Sequence, residues 1–394
     1  MRVLLCPLSS PGYLYPATAV ALELQRRGHD VALFTAGQAA RAATAAGVAV
    51  LPAVTERDPH AFDVSRWFRV GESQYRVVRS AAQAVRPDVV VTTVLAPGAL
   101  LAAEALGLPA VVIGLACHLW PHRTPAEGAE ADAEASDTED RRWRLAQTLK
   151  HHQDLRRRIG LPPHSRGDAV RHLRGRALLL RGHPRLEPKG AELPDGVRHI
   201  GPLWWEPPAG SAEQKARDAL DRRLDQVGKP VVYIHLGRTF GGESLWDWID
   251  AAFTGTGHQA VVELGRTEPR EPAPESNVLA IRRPAMAHLL RRAEAVVSNG
   301  TSAPVLGALL HSRPLLLRPN GGEQRLLSAA CLRAGVAVPL DISRPAAAGP
   351  GSAASLDALL TDARSRCRAR SFGAALAQTK SAALAAQEVE DAGR

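Results

Sequence analysis

The chain has 394 residues, 45% of them apolar and only 4% aromatic, and a formal net charge of +9. That length exceeds one ordinary core and predicts two domains, with interiors built from Ala, Leu and Val. No run of about 18 uncharged apolar residues is present, which excludes a membrane-spanning helix.

The start, M-R-V-L-L-C-P-L, reads as a buried strand rather than a signal peptide. Cys6, Cys117, Cys331 and Cys367 lie far apart without paired or metal-type spacing, so the expectation is a reduced, cytoplasmic protein. Apart from Lys150, Lys189, Lys215, Lys229 and Lys380 the basic residues are all Arg. That bias reads as compositional, and no nucleic-acid partner is expected.

Residues 3–8 predict a strand and 17–27 a helix closed by Gly28. Between them lies S-S-P-G-Y-L-Y-P, read as a turn with Tyr13 at its tip. Strands at 31–35 and 48–51 flank a helix at 39–46. A strand at 89–94, a helix at 100–106 and a strand at 110–115 follow. Pro121, Pro125 and an acidic, Ala-rich tract at 127–140 break the rhythm and read as a loop, a candidate lid. Helix returns at 143–159, where Arg156, Arg157 and Arg158 beside His151 and His152 read as a solvated face. Strands at 177–180 and 197–200 close this series, and G-P-L-W-W-E-P-P-A-G at 201–210 reads as a linker.

A second series has strands at 231–236, 260–264, 278–281, 295–298 and 315–317. Helices are expected at 245–253, around 288–292, at 304–310 and 323–334, and in the Ala-rich tail from 353. Short apolar strands alternating with helices mean parallel sheets covered on both faces. The fold class is therefore α/β, with two doubly wound, Rossmann-like domains facing a central cleft. The expected boundaries are 1–203, a linker at 204–228, a second domain at 229–372, and a tail at 373–394 packing back on the first. Ligands of such sheets sit at the carboxyl ends of the strands.

There is no G-x-G-x-x-G after the first strand and no G-x-x-x-x-G-K-[ST] anywhere. This argues against a dinucleotide oxidoreductase and a P-loop enzyme. The glycine-bearing loop V-V-S-N-G-T-S-A-P, 296–304, runs from a strand into a helix, with Ser302 as a candidate N-cap. Small residues there would let backbone N–H groups and a helix N-terminus approach a phosphate. The same pattern equally describes a well-capped helix. R-P-N-G-G-E-Q, 318–324, also follows a strand, and Glu323 with Gln324 could read sugar hydroxyls. A capping Glu is the plainer alternative.

Taken together and in this order, the two loops resemble the donor site of GT-B glycosyltransferases that use UDP- or dTDP-sugars to decorate natural products. R-R-G-H-D-V, P-D-V-V-V-T-T-V-L-A-P-G, L-A-A-E-A-L-G-L-P and G-P-L-W-W-E-P-P are similar to further family segments, so the likeness runs from residue 2 to about 340. It implies that Asn299, Gly300, Thr301 and Ser302 bind the pyrophosphate, with Asn299 where the family has histidine. Glu323 and Gln324 fall on the family's donor-sugar pair. Arg283 falls where the family stacks on the base, and Arg238 and Thr239, with Phe240, on a loop facing the phosphates or acceptor.

The first loop departs from the family. Its usual G-H-x-x-P carries the histidine base, and here Gly12-Tyr13-Leu14-Tyr15-Pro16 stands instead. The aspartate that orients the base is matched by Thr93. A tyrosine with pKa near ~10 is a poor general base at neutral pH. Three readings stay open. The base is His118 or His122, or Glu56, Asp58 or His60; or the acceptor is anionic or a nitrogen and needs none; or a sugar nucleotide is bound without efficient transfer.

The resemblance implies an inverting transferase without cofactor or metal, since no Asp-x-Asp pair lies in a cleft loop. Its partners would be a dTDP- or UDP-sugar and a small-molecule acceptor lying against Tyr13, Tyr15, Trp67, Phe68, His118 and Trp120. Monomer or homodimer is expected, with no stable membrane insertion. The rivals are a lipid-linked acceptor, a non-catalytic sugar-nucleotide-binding auxiliary, and a sugar-nucleotide epimerase.

Overall fold

The computed structural model describes the chain except residues 53–63, 238–244, 266, 268–269, 271, 273–275, 283–285 and 343–353. It forms two compact units. The first comprises the described residues of 1–207 together with Thr379–Arg394, and the second Pro208–Gln378.

The first unit runs β1 (Arg2–Cys6), α1 (Pro11–Arg26), β2 (Asp30–Thr35), α2 (Gly37–Ala45), β3 (Ala49–Pro52), α3 (Val64–Val85) and β4 (Val89–Thr93). It continues with α4 (Pro97–Ala105), β5 (Ala110–Ile113), α5 (Ala129–Arg158), α6 (Arg166–Arg174), β6 (Ala177–Leu180) and β7 (Val197–His199). Its sheet has the order β3-β2-β1-β4-β5-β6-β7, and every pairing is parallel. Successive side chains of a strand point to opposite faces, so each buried strand feeds two cores. Leu4, Val90, Val112 and Leu178 face one. Val3, Leu5, Val91, Val111 and Leu179 face the other.

The second unit runs α7 (Ser211–Val227), β8 (Val231–His235), α8 (Trp246–Phe253), β9 (Gln259–Glu263), β10 (Val278–Ile281), α9 (Met286–Arg292) and β11 (Ala293–Ser298). Then come α10 (Ser302–Leu310), β12 (Leu315–Leu317), α11 (Gln324–Arg333), β13 (Ala337–Pro339), α12 (Ala354–Thr361) and α13 (Ala363–Gln378). Its sheet order is β10-β9-β8-β11-β12-β13, again wholly parallel. The final helix, α14 (Ser381–Ala392), belongs to the first unit. There Ala385, Ala386 and Val389 are fully buried, and Glu390 bonds Arg27 and His29.

The strand order reverses between β1 and β4 in the first sheet and between β8 and β11 in the second. These are the switch points where open parallel sheets bind ligands.

Several sequence expectations change. The tract at 127–140 is not a loop: α5 starts at Ala129 and runs unbroken for 30 residues. Its Ala and Glu residues are strong helix formers, which outweighs their lack of an apolar stripe. Most of the expected linker, 204–228, is α7. The tail divides later than 373, because α13 remains in the second unit, where Gly373 lies against the end of α10. Arg156 is not solvated either. It is fully buried, donating to Glu104 and to the Pro162 carbonyl.

Candidate functional site

In the second unit, β11 and β12 are neighbours, and both predicted loops leave their carboxyl ends. The turn Asn299–Gly300–Thr301 joins β11 to α10. Gly300 sits at φ +83°, and a Cβ there would lie 2.4 Å from Ser328 Oγ and 3.0 Å from the Gln324 carbonyl oxygen. Only glycine meets both demands. Thr301, rather than Ser302, takes the N-cap position, and its own side chain makes no capping bond. Ser302 is the buried first residue of α10.

Asn299 is buried to 1% exposure. Its Oδ1 accepts from the Thr301 hydroxyl at 2.6 Å and the Thr301 N–H at 3.2 Å. Its Nδ2 is buried with no hydrogen-bond partner. An unmet buried donor costs about 1–3 kcal/mol. Two N–H bonds on Nδ2 are thus held in place beside a helix N-terminus, an arrangement suited to an anion.

Gln324 ties the two loops together. Its Oε1 accepts from the N–H groups of Asn320 (2.9 Å) and Gly321 (3.2 Å), while Nε2 donates to Thr301 Oγ1 (3.3 Å). Glu323, at the N-cap position of α11, is nearly buried. Asn299, Gly300, Thr301, Ser302 and Gln324 therefore form one neighbourhood, with Glu323 adjoining Gln324 in the chain. Arg238, Thr239 and Arg283 lie outside the described residues.

One cluster here escaped sequence reading. At the ends of β8 and β9, the Tyr233 hydroxyl donates to Glu263 Oε2, and His235 Nε2 lies 3.7 Å from the same atom. Tyr233 and His235 share a strand face by their spacing of two. The carboxylate arrives from a different strand and leaves no motif.

In the first unit, Tyr13 is not at the tip of a turn. Helix α1 begins at Pro11, so Tyr13 lies in its first turn. Pro16 inside that helix has no N–H to give the Gly12 carbonyl. The Arg181 guanidinium supplies that bond instead, at 2.9 Å, while its Nε holds the Gly114 carbonyl. Arg181 thereby braces the Tyr13 turn against β5, and no sequence spacing signals this.

Tyr13 packs partly buried against one core and Tyr15 against the other. Two residues on a helix are about 200° apart, which separates them. Tyr15 meets Trp205 edge-on at 5.2 Å. Thr93, at the end of β4, is buried with no partner for its hydroxyl. Tyr13 and Thr93 thus flank the β1/β4 switch point.

The other proposed acceptor contacts are mostly core. Phe68 is buried, stacked on His151 at 5.7 Å. Trp120 is buried edge-on to His118 at 6.0 Å. The side chain of Trp67 lies outside the described residues, as do Glu56, Asp58 and His60.

His118 is 1% exposed, and neither ring nitrogen meets hydrogen-bonding geometry. Burial pushes its pKa down to about 3, despite the nearby Glu187 carboxylate. It is a neutral imidazole and a weak base. His122 and His199 both bond the buried Glu187, at 2.9 and 3.1 Å, and the His118 N–H also reaches it at 3.1 Å. Burial alone would raise the Glu187 carboxyl, but bonds from His122 and His199 outweigh it and hold the group below its ordinary value. The expected alternative bases, His118 and His122, are thus tied into a buried polar cluster on the β5–β7 side.

No protein-family model matches the chain, and no curated protein matches it. Solved structures match nearly end to end. The glycotransferase of kitacinnamycin aligns with a TM-score of 0.73 at 20% identity, covering 99% of this chain and 98% of that one. The calicheamicin glycosyltransferase CalG4 aligns at 0.71 and 22% identity, with 99% and 98% covered. The glycosyltransferase VinC, in complex with dTDP, aligns at 0.68 and 15% identity, with 100% and 99% covered. The chain has the GT-B fold of these proteins, as its motifs implied.

Proposed function

We propose that the chain is an inverting glycosyltransferase that moves a sugar from a dTDP- or UDP-sugar to a small natural-product acceptor. The observation that carries this reading is the unmet, buried Asn299 Nδ2 at the start of α10. Negative charge grows on the diphosphate as the sugar leaves. Fixed N–H donors and a helix N-terminus stabilise such charge without reorganising. Gln324 keeps that turn in register with the Asn320–Gly321 loop, and in this reading the adjoining Glu323 would meet the sugar. VinC was solved with dTDP, which favours thymidine as the base. No metal is assigned to this step.

The acceptor side supports a nucleophile that needs little deprotonation, such as an acidic hydroxyl or a nitrogen. Tyr13 and Thr93 stand where the resemblance expects a His/Asp dyad, and His118 is buried and neutral. Orientation and leaving-group stabilisation would then carry the rate. The same observations favour a second reading, a protein that binds the sugar nucleotide without transferring it.

Calorimetric titration with dTDP, UDP and GDP tests the donor site. Selective binding of dTDP or UDP, weakened about tenfold or more by Asn299→Ala, is expected. Absence of binding by all three would sink the proposal. Slow release of free sugar from the bound donor then separates transferase from binder, since a pure binder releases none.

A further inference from the structure

At the amino-terminal edge of the first sheet, opposite the switch point, lies a polar cluster that the proposed function does not use. His152 comes from α5, His164 from the connection to α6, and His172 from α6. One ring nitrogen from each lies within 4.8 Å of the other two. Glu104, on α4, bonds His164 Nε2 at 3.1 Å, and His172 Nε2 lies 2.9 Å from its other oxygen.

A carboxylate can only accept, so a ring facing Glu104 presents a proton on Nε2, and in its neutral form carries a lone pair on Nδ1. Both Nδ1 atoms are buried with no partner. His152 is fully buried, and neither of its nitrogens has one. Leaving several buried polar atoms unmet in one spot is costly. A carboxylate bonded to one nitrogen of a histidine, leaving the other free, is the arrangement that supports metal-bound imidazole. Arg156 also donates to Glu104, on the oxygen that His172 faces, and offsets its charge.

We propose that His152, His164 and His172 bind one divalent transition-metal cation of the zinc class, with Glu104 as the positioning residue for two of them. Imidazole nitrogen suits such ions, at about 2.0–2.1 Å. Reaching that distance requires the three rings to draw together by roughly 1 Å from their present spacing. His164 and His172 remain 19% and 14% accessible, which leaves a route in and room for a water as fourth ligand. The ion would clip α5 to α6 and, through Glu104, to α4. The ligand spacing matches no finger or ribbon pattern, so sequence reading expects no metal here.

The test uses untagged full-length protein stripped with EDTA and dialysed. Zn2+ is titrated by calorimetry, and Co2+ is followed by its visible spectrum. One equivalent is expected, with intensified Co2+ bands of a low-coordinate nitrogen site. His152→Ala and His172→Ala should each weaken binding at least 100-fold, and Glu104→Gln about 10- to 100-fold. Added Zn2+ should raise the melting temperature of the parent protein only. His164→Ala, in a connection rather than a helix, serves if a helical variant fails to fold. An unchanged aqueous Co2+ spectrum, or full binding in folded His152→Ala/His164→Ala, would overturn the site.

Discussion

A side chain at position 300 would collide with Ser328 Oγ and the Gln324 carbonyl while holding φ at +83°. Gly300→Ala should destabilise the second unit by about 1–3 kcal/mol in urea titration and weaken nucleotide binding with it. On the acceptor side, Tyr13→His with Thr93→Asp would place a histidine base and its carboxylate at the switch point. Donor hydrolysis should rise at least tenfold if the lost base limits transfer, since such a base typically contributes about 10²–10⁴-fold. An unchanged rate would mean that another step limits. His118 makes a pH prediction. Its folded pKa, about 3, lies below the unfolded value near ~6.5, so the unfolded chain binds this proton more readily. Its contribution is complete above pH ~6.5 and falls away by roughly 1.4 kcal/mol per unit as pH drops towards 3. His118→Phe should flatten that part of the acid limb of stability. At this scale, legibility followed chain locality. Asn299, Gly300 and Gln324 lie in short motifs, whereas Arg181 opposite Gly12, or Glu104 behind His172, meet only after folding.

At the scale of elements, the strands were the most readable, because parallel strands buried on both faces leave short apolar runs between turn residues. Residues 177–180, 278–281 and 315–317 are strands with the expected bounds. Helices were less so. The polar stretch from Ala129 carries helix propensity without amphipathic rhythm, and α7 hid in a segment whose start is rich in Pro and Trp. The tail was readable as helix but not as two helices serving different units. Helix α14 fills the core behind β4, β5 and β6 with Ala385, Ala386 and Val389. Ending the chain after Gln378 should expose that core. Limited proteolysis is expected to degrade residues 1–207 of the shortened protein while sparing the second unit; equal resistance of both would contradict this role for α14.

For the whole molecule, the absence of any matching family model alongside full-length structural matches at 15–22% identity shows how little sequence the architecture demands. Apolar runs, glycine at a few forced turns and helix starts behind strands suffice. A nucleotide held by Asn299 and the α10 terminus should stabilise the second unit. At 100 times its dissociation constant the gain is about 2.7 kcal/mol. In scanning calorimetry dTDP should move the transition of the second unit, and Asn299→Ala should abolish most of that movement. The position of α14 also bears on how the protein is made. Domains generally fold as they emerge from the ribosome, the first one first. Here the part of one sheet face over β4, β5 and β6 stays uncovered until α14 is translated, after the entire second unit. The unit that begins the chain is therefore the last to be completed, and it waits through the rest of synthesis with apolar surface open to chaperones.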